Sequence, residues 1–156
     1  MQLNHFQLQQ CKIQAKLFAL AYGSGYDPRA FVAAFMDSAA AEGLDADYDR
    51  MQWAGEEYIL QEVVESAALA KSPSLSDVSA EALFWAGYLY RYWHFLTGEA
   101  SRRIYAQAPL DVLLDVYPGM HALSPEMAIE DLRSRNHGHV VAEGPAEEVL
   151  PGDSQG

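Results

Sequence analysis

Seven aromatic side chains fall within the twelve positions from Phe84 to Phe95, with Arg91 set among them. Ser79 precedes the run as a helix N-cap and Thr97-Gly98 closes it, so it reads as one helix. On a 3.6-residue period Phe84, Tyr88, Tyr92 and Phe95 share one face. Trp85, Leu89, Trp93 and Leu96 line the next, while Tyr90 and His94 fill much of the remainder. A helix that is aromatic almost all round is surrounded by protein on most sides. It is expected at the centre of the domain, with Arg91 either buried in an ion pair or in contact with something else.

Six other segments show helical spacing. A first helix from Leu3 to Tyr22 carries Phe6, Ile13, Leu17, Leu20 and Ala21 as its apolar stripe and ends at Gly23. Gly23-Ser24-Gly25 reads as a helix end and turn, since no lysine follows and no strand precedes it. Asp27-Pro28 opens a second helix that buries Phe31, Val32, Phe35 and Met36 and stops near Glu42-Gly43. A third spans Asp45 to Ala70, with Tyr48, Met51, Gln52, Tyr58, Ile59, Val63 and Leu69 at helical spacing. After the aromatic helix come a short segment through Ile104 and Tyr105, one from Pro109 to Pro118-Gly119, and a last helix led by Ser124-Pro125-Glu126. No segment alternates with the period of a surface strand. The expected fold is all-α: an irregular orthogonal bundle of about six to seven helices in a single domain, residues 1–135. Asn136 to Gly156 holds two prolines, four glycines and little to bury, and reads as a disordered acidic tail.

Charge sets the classes of partner. The chain of 156 residues has a formal net charge of −12. From Asp37 to Glu65 there are nine acidic residues and only Arg50 to offset them, a local balance of −8. Such a surface repels nucleic-acid phosphates and anionic membranes and attracts basic proteins. The few basic residues form no stripe, so direct nucleic-acid binding lacks its counterion-release term. One cysteine, Cys11, excludes an intramolecular disulfide framework and fits a reducing, cytoplasmic setting. Lys12 and Lys16 before Leu17-Phe18-Ala19-Leu20-Ala21 imitate a signal peptide only faintly, and no apolar run is long enough to cross a bilayer.

Chemistry-bearing motifs are sparse. No two of His5, His94, His121, His137 and His139 lie three or four residues apart, so no helical metal site is expected, and no cofactor. His137-Gly138-His139 has the composition of a metal-scavenging segment. Asp111 and Asp115, and Glu62 and Glu65, share helix faces as solvated pairs. Ser101 lacks a nucleophile-elbow context, and Cys11 has no histidine partner. Arg91 is unsuited to acid–base work, because guanidinium stays protonated. As a buried residue it requires a carboxylate, and Glu57, Glu130 and Asp131 lie closest to strongly apolar helical faces. No catalytic residue is assigned.

Three stretches, Gly87-Tyr-Leu-Tyr-Arg-Tyr-Trp-His94, Thr97-Gly-Glu-Ala-Ser101 with Ile104-Tyr105, and Met120-His121 followed by Ser124 to Leu132, together resemble a group of small all-helical bacterial proteins. Those proteins are encoded beside toxin genes, some of ADP-ribosyltransferase type, and look like antitoxins. The resemblance covers about Tyr48 to Arg135 and carries no functional residue across. It implies stoichiometric neutralisation of a co-encoded toxin, with no catalysis. The acidic stretch is the expected contact surface, with Asp45, Asp47, Asp49 and Arg91 as partner-binding candidates. A helical adaptor or structural protein without a toxin partner, and an enzyme with an unrecognised site, are the alternatives.

Overall fold

A computed structural model describes residues 2–47, 49–72 and 77–143, with side chains described as far as Arg135. Among the described residues there are eight α-helices and no strand. They are α1 (His5–Gly23), α2 (Pro28–Met36), α3 (Ala39–Asp45), α4 (Glu56–Ser66), α5 (Ala80–Thr97), α6 (Ser101–Gln107), α7 (Leu110–Met120) and α8 (Pro125–Glu143). A 3-10 turn, Arg50–Trp53, lies between α3 and α4. The all-α bundle is the fold that the helical periodicity predicts.

The caps explain most boundaries. Asn4 and Gln7 form a reciprocal capping box ahead of α1. Asp27 accepts from Ala30 N–H at 2.9 Å to start α2, with Pro28 in its first turn. Ser79 accepts from Ala82 N–H at 3.0 Å to start α5, and Gly98, at φ 80°, closes it in the left-handed conformation open to glycine.

Four boundaries differ from the sequence expectation. The second helix stops at Met36, because Ser38 turns its hydroxyl to Ala41 N–H at 3.1 Å and caps a new helix, α3. The long third helix is interrupted: Ala46, Ala54 and Gly55 are extended, and Asp49 caps the 3-10 turn by accepting from Met51 N–H at 2.8 Å. Tyr48, expected on that helix's buried stripe, lies outside the described residues. Pro118 sits inside α7, which continues to Met120; the ring removes one ladder donor near the end of the helix, where the cost is small. Helix α8 runs to Glu143, past the tail boundary expected at Asn136, and residues 144–156 lie outside the described residues.

Helices α1 and α5 form the largest interhelical contact and the axis of the fold. Helices α2 and α4 pack on α1, and α6, α7 and α8 on α5. The central pair meets where α5 has Gly87: a Cβ there would lie 2.6 Å from the Gln14 carbonyl oxygen. That approach places Gln14 and Ala15 directly over α5 and buries them. Phe18 makes edge contacts with Phe31, Phe35 and Tyr90, which joins α1, α2 and α5 in one aromatic cluster. Tyr90 donates its hydroxyl to the Ala108 carbonyl at 2.6 Å, so the deepest phenol is satisfied. The stripe expected for α1 is partly displaced. Phe6 and the half-buried Ile13 and Leu20 yield the core to Cys11, Gln14, Ala15 and Phe18. Among the described residues no helix is long and apolar enough to cross a membrane.

Candidate functional site

Arg91 is among the largest fully buried side chains, 1% exposed, and each of its guanidinium nitrogens has a partner. Nε donates to Gln14 Oε1 at 2.8 Å, Nη1 to Asp45 Oδ1 at 2.7 Å and Nη2 to Ser101 Oγ at 3.2 Å. Each partner is itself anchored. Gln14 Nε2 donates to the Gly87 carbonyl at 3.1 Å, which only the close α1–α5 crossing allows. Asp45 accepts from Ser101 N–H and from Ser101 Oγ, both at 2.8 Å. It therefore ties the end of α3 to the first residue of α6. Burial lowers the affinity of Arg91 for its proton, and the charge and hydrogen bond of Asp45 oppose that shift.

His94 lies one turn further along α5. Its Nδ1 is 2.6 Å from the Glu99 carbonyl oxygen, which can only accept, so Nδ1 carries the ring proton. The same nitrogen is 3.6 Å from Asp45 Oδ1. Glu99 gathers Trp93 Nε1 at 2.8 Å, Gln107 Nε2 at 2.9 Å and Thr97 Oγ1 at 3.2 Å. Burial pushes its carboxyl upward, but those donors together with the charge of Arg133 hold it below the usual carboxylate range. Elsewhere on α5, Tyr92 donates its hydroxyl to Glu126 of α8, which lowers the Glu126 carboxyl. The chemistry of the cluster is that of a satisfied internal network.

This geometry revises the sequence candidates. The counter-ion of Arg91 is Asp45, not Glu57, Glu130 or Asp131, since α3 ends with its last side chain over the middle of α5. Enclosed by Gln14, Asp45 and Ser101, Arg91 presents no surface to a partner. Asp45 is 13% exposed and committed to the same network. Asp49 is half-buried and caps the 3-10 turn; Asp47 is exposed. Of the four partner-binding candidates, Asp47 alone is both exposed and without a hydrogen bond or ion pair among the described residues. The side chains of His137 and His139 lie outside the described residues, and among those described no group of three His, Cys, Asp or Glu is placed to hold a metal.

The exposed part of the acidic segment is organised differently. Of its nine acids, Asp37 pairs with Arg102 and Asp45 with Arg91. The exposed Glu42, Asp47, Glu57 and Glu62 have no ion-pair partner among the described residues. Between them stands Trp53, 76% exposed, with its ring centroid 5.4 Å from that of Phe6. Helical spacing misses Trp53 because the segment is a 3-10 turn, and the stripe drawn through Met51 and Tyr58 leaves it aside. The available signal is a tryptophan set between Asp49 and Glu56-Glu57 and followed by Ala54-Gly55, which interrupts the helical pattern.

No protein-family model, no curated protein and no solved structure matches the chain.

Proposed function

We propose that this protein is an antitoxin-like inhibitor that binds a co-encoded bacterial toxin in the cytoplasm and neutralises it by stoichiometric contact. The observation that carries the reading is the segment from α3 to α4, where Asp47, Glu57 and Glu62 face solvent with no ion-pair partner among the described residues. Unpaired carboxylates of one sign raise the local potential, steer a basic partner and speed its association. The resemblance of the aromatic helix and its flanking segments to antitoxin-like proteins supplies the kind of partner.

Co-expression with the adjacently encoded protein tests the proposal. Rescue of growth and co-purification of the pair at fixed stoichiometry are expected. Asp47→Asn, Glu57→Gln and Glu62→Gln together should slow association and flatten its salt dependence without changing the fold, because these three side chains are exposed. Asp45 is unsuitable for that experiment, since its carboxylate holds Arg91. Absence of rescue and of binding would sink the inhibitor reading. Association at one rate in low and high salt would remove its electrostatic basis.

A further inference from the structure

A tryptophan has more to gain from burial than almost any other side chain, yet Trp53 stands in water. Its backbone is fixed. Asp49 caps the turn from one side, Ala54 N–H bonds to the Met51 carbonyl at 3.1 Å, and Gln10 of α1 donates to the Gln52 carbonyl at 2.9 Å. Gln52 also donates its side-chain amide to the Ala46 carbonyl. The ring is thus held out on an ordered support, and little conformational freedom remains to be lost when something covers it.

Two hollows flank the ring. One, of about 420 Å³, runs between Trp53, Phe6 and Phe95 and has Asp47 in its wall. The other, of about 320 Å³, lies between Trp53, Met51 and Tyr58, with Arg50 at its edge. Tyr58 is 53% exposed and Phe6 37%. An exposed aromatic ridge between a mainly apolar hollow and one that also presents Asn4, Gln7, Asp47 and Gln52 has the residue types and shape of an interface anchor. The surrounding charge selects the occupant. Phosphates of RNA, anionic lipid and a second copy of a chain at −12 all meet repulsion here, whereas a cationic protein segment meets attraction.

We propose that Trp53, with Phe6 and Tyr58, is the anchor for a cationic amphipathic segment of a protein partner. An apolar side chain of that segment fills the hollow against Met51 and Tyr58, and an arginine or lysine lies over the Trp53 ring in the other, within reach of Asp47. The proposal rests on the inhibitor reading and specifies the contact surface of that partner.

A synthetic peptide of leucine and arginine at helical spacing serves as the probe, and a scrambled peptide of the same composition as the control. Calorimetry on the full chain should show binding of the first peptide, with the scrambled one weaker by about tenfold. Trp53→Ala should weaken the first by about thirtyfold, the scale of a hot-spot truncation, and should melt with the wild type because the ring is exposed. Tyr58→Ala should weaken it by a smaller factor. Equal affinity for both peptides, or a Trp53→Ala effect below about threefold, would show charge acting without the aromatic anchor and overturn the proposal. Self-association abolished by Trp53→Ala would assign the surface to a second copy and overturn it equally. Loss of toxin rescue with peptide binding intact condemns only the inhibitor reading. Rescue by Trp53→Ala as efficient as by wild type condemns only this surface.

Discussion

The Arg91 guanidinium and the Asp45 carboxylate meet at 2.7 Å, and the two ends of the pair are unequally shielded, 1% exposed for the arginine and 13% for the aspartate. The imbalance decides which loss is worse. Without Asp45, the cation remains enclosed with only the neutral Gln14 and Ser101. Without Arg91, the carboxylate keeps the Ser101 N–H and hydroxyl and some water. Asp45→Ala should therefore cost about 3–5 kcal/mol, as for a broken buried pair. Arg91→Met, which refills most of the volume, should cost about 1–3 kcal/mol. Urea unfolding of both variants checks the order, and the reverse order would mean that the carboxylate is the more dependent partner.

Gly87 offers a purely steric test. A methyl group there would sit 2.6 Å from the Gln14 carbonyl oxygen and 3.0 Å from Ala15 Cα, both backbone atoms that no rotamer change can move. Gly87→Ala should force α1 and α5 apart and cost about 1–3 kcal/mol or more. Gly119→Ala, in α7 with no neighbouring atom within 4 Å of the added carbon, should instead gain a few tenths of a kcal/mol, up to about 1. Thermal unfolding of the two variants should bracket the wild type. Equal midpoints would exclude the close crossing.

Glu99 and Glu126 set the behaviour in acid. Both carboxyls lie below the ordinary value in the folded state, so between the folded and unfolded pKa values the unfolded chain binds more protons. Their contribution to stability is complete above the ordinary carboxylate pKa of about 4.3 and is lost as pH falls through the depressed values. The melting temperature should drop on acidification from about pH 5 to pH 3, and less steeply in Glu99→Gln. Parallel curves for wild type and Glu99→Gln would mean that the donors of Trp93, Gln107 and Thr97 do not favour the ionised form.

Cys11 reports on the opening of the axis. Burial pushes its thiol up to about 12, opposed by the charge of Arg91. The thiolate is the reactive form, so alkylation of the folded protein near pH 8 should be slow and limited by opening. Labelling should accelerate with urea in step with unfolding. Native labelling at the rate of a free thiol would place Cys11 at the surface.

The aromatic helix was legible because its signals are local. Ser79, Gly98 and the dense run between them specify start, stop and burial without reference to the rest of the chain. Asp27-Pro28 marked α2 in the same way. The ion pair was not legible, since its members lie 46 positions apart and Asp45 stands among acids that resemble one another in sequence. Gln14 hid the true inner face of α1: a buried glutamine breaks an apolar stripe, and only its two hydrogen bonds show why it belongs inside. Ser38 went unread because an alanine run continues the helical pattern across the point where its hydroxyl restarts the helix. Trp53 was missed for a related reason, since helical spacing was applied to a segment that is a short turn between extended residues.

The network around Arg91 also divides the chain in an uneven way. Cut between Ser72 and Asp77, the first fragment holds Gln14 and Asp45, which receive the guanidinium, and the second holds Arg91 and Ser101. Neither fragment carries what its own polar interior requires, and α1 and α5 fall on opposite sides of the cut. The two pieces should fold only on each other, with the guanidinium as the key and the α1–α4 fragment as its lock. That complementarity makes this chain a natural candidate for a split reporter whose halves stay silent until they meet.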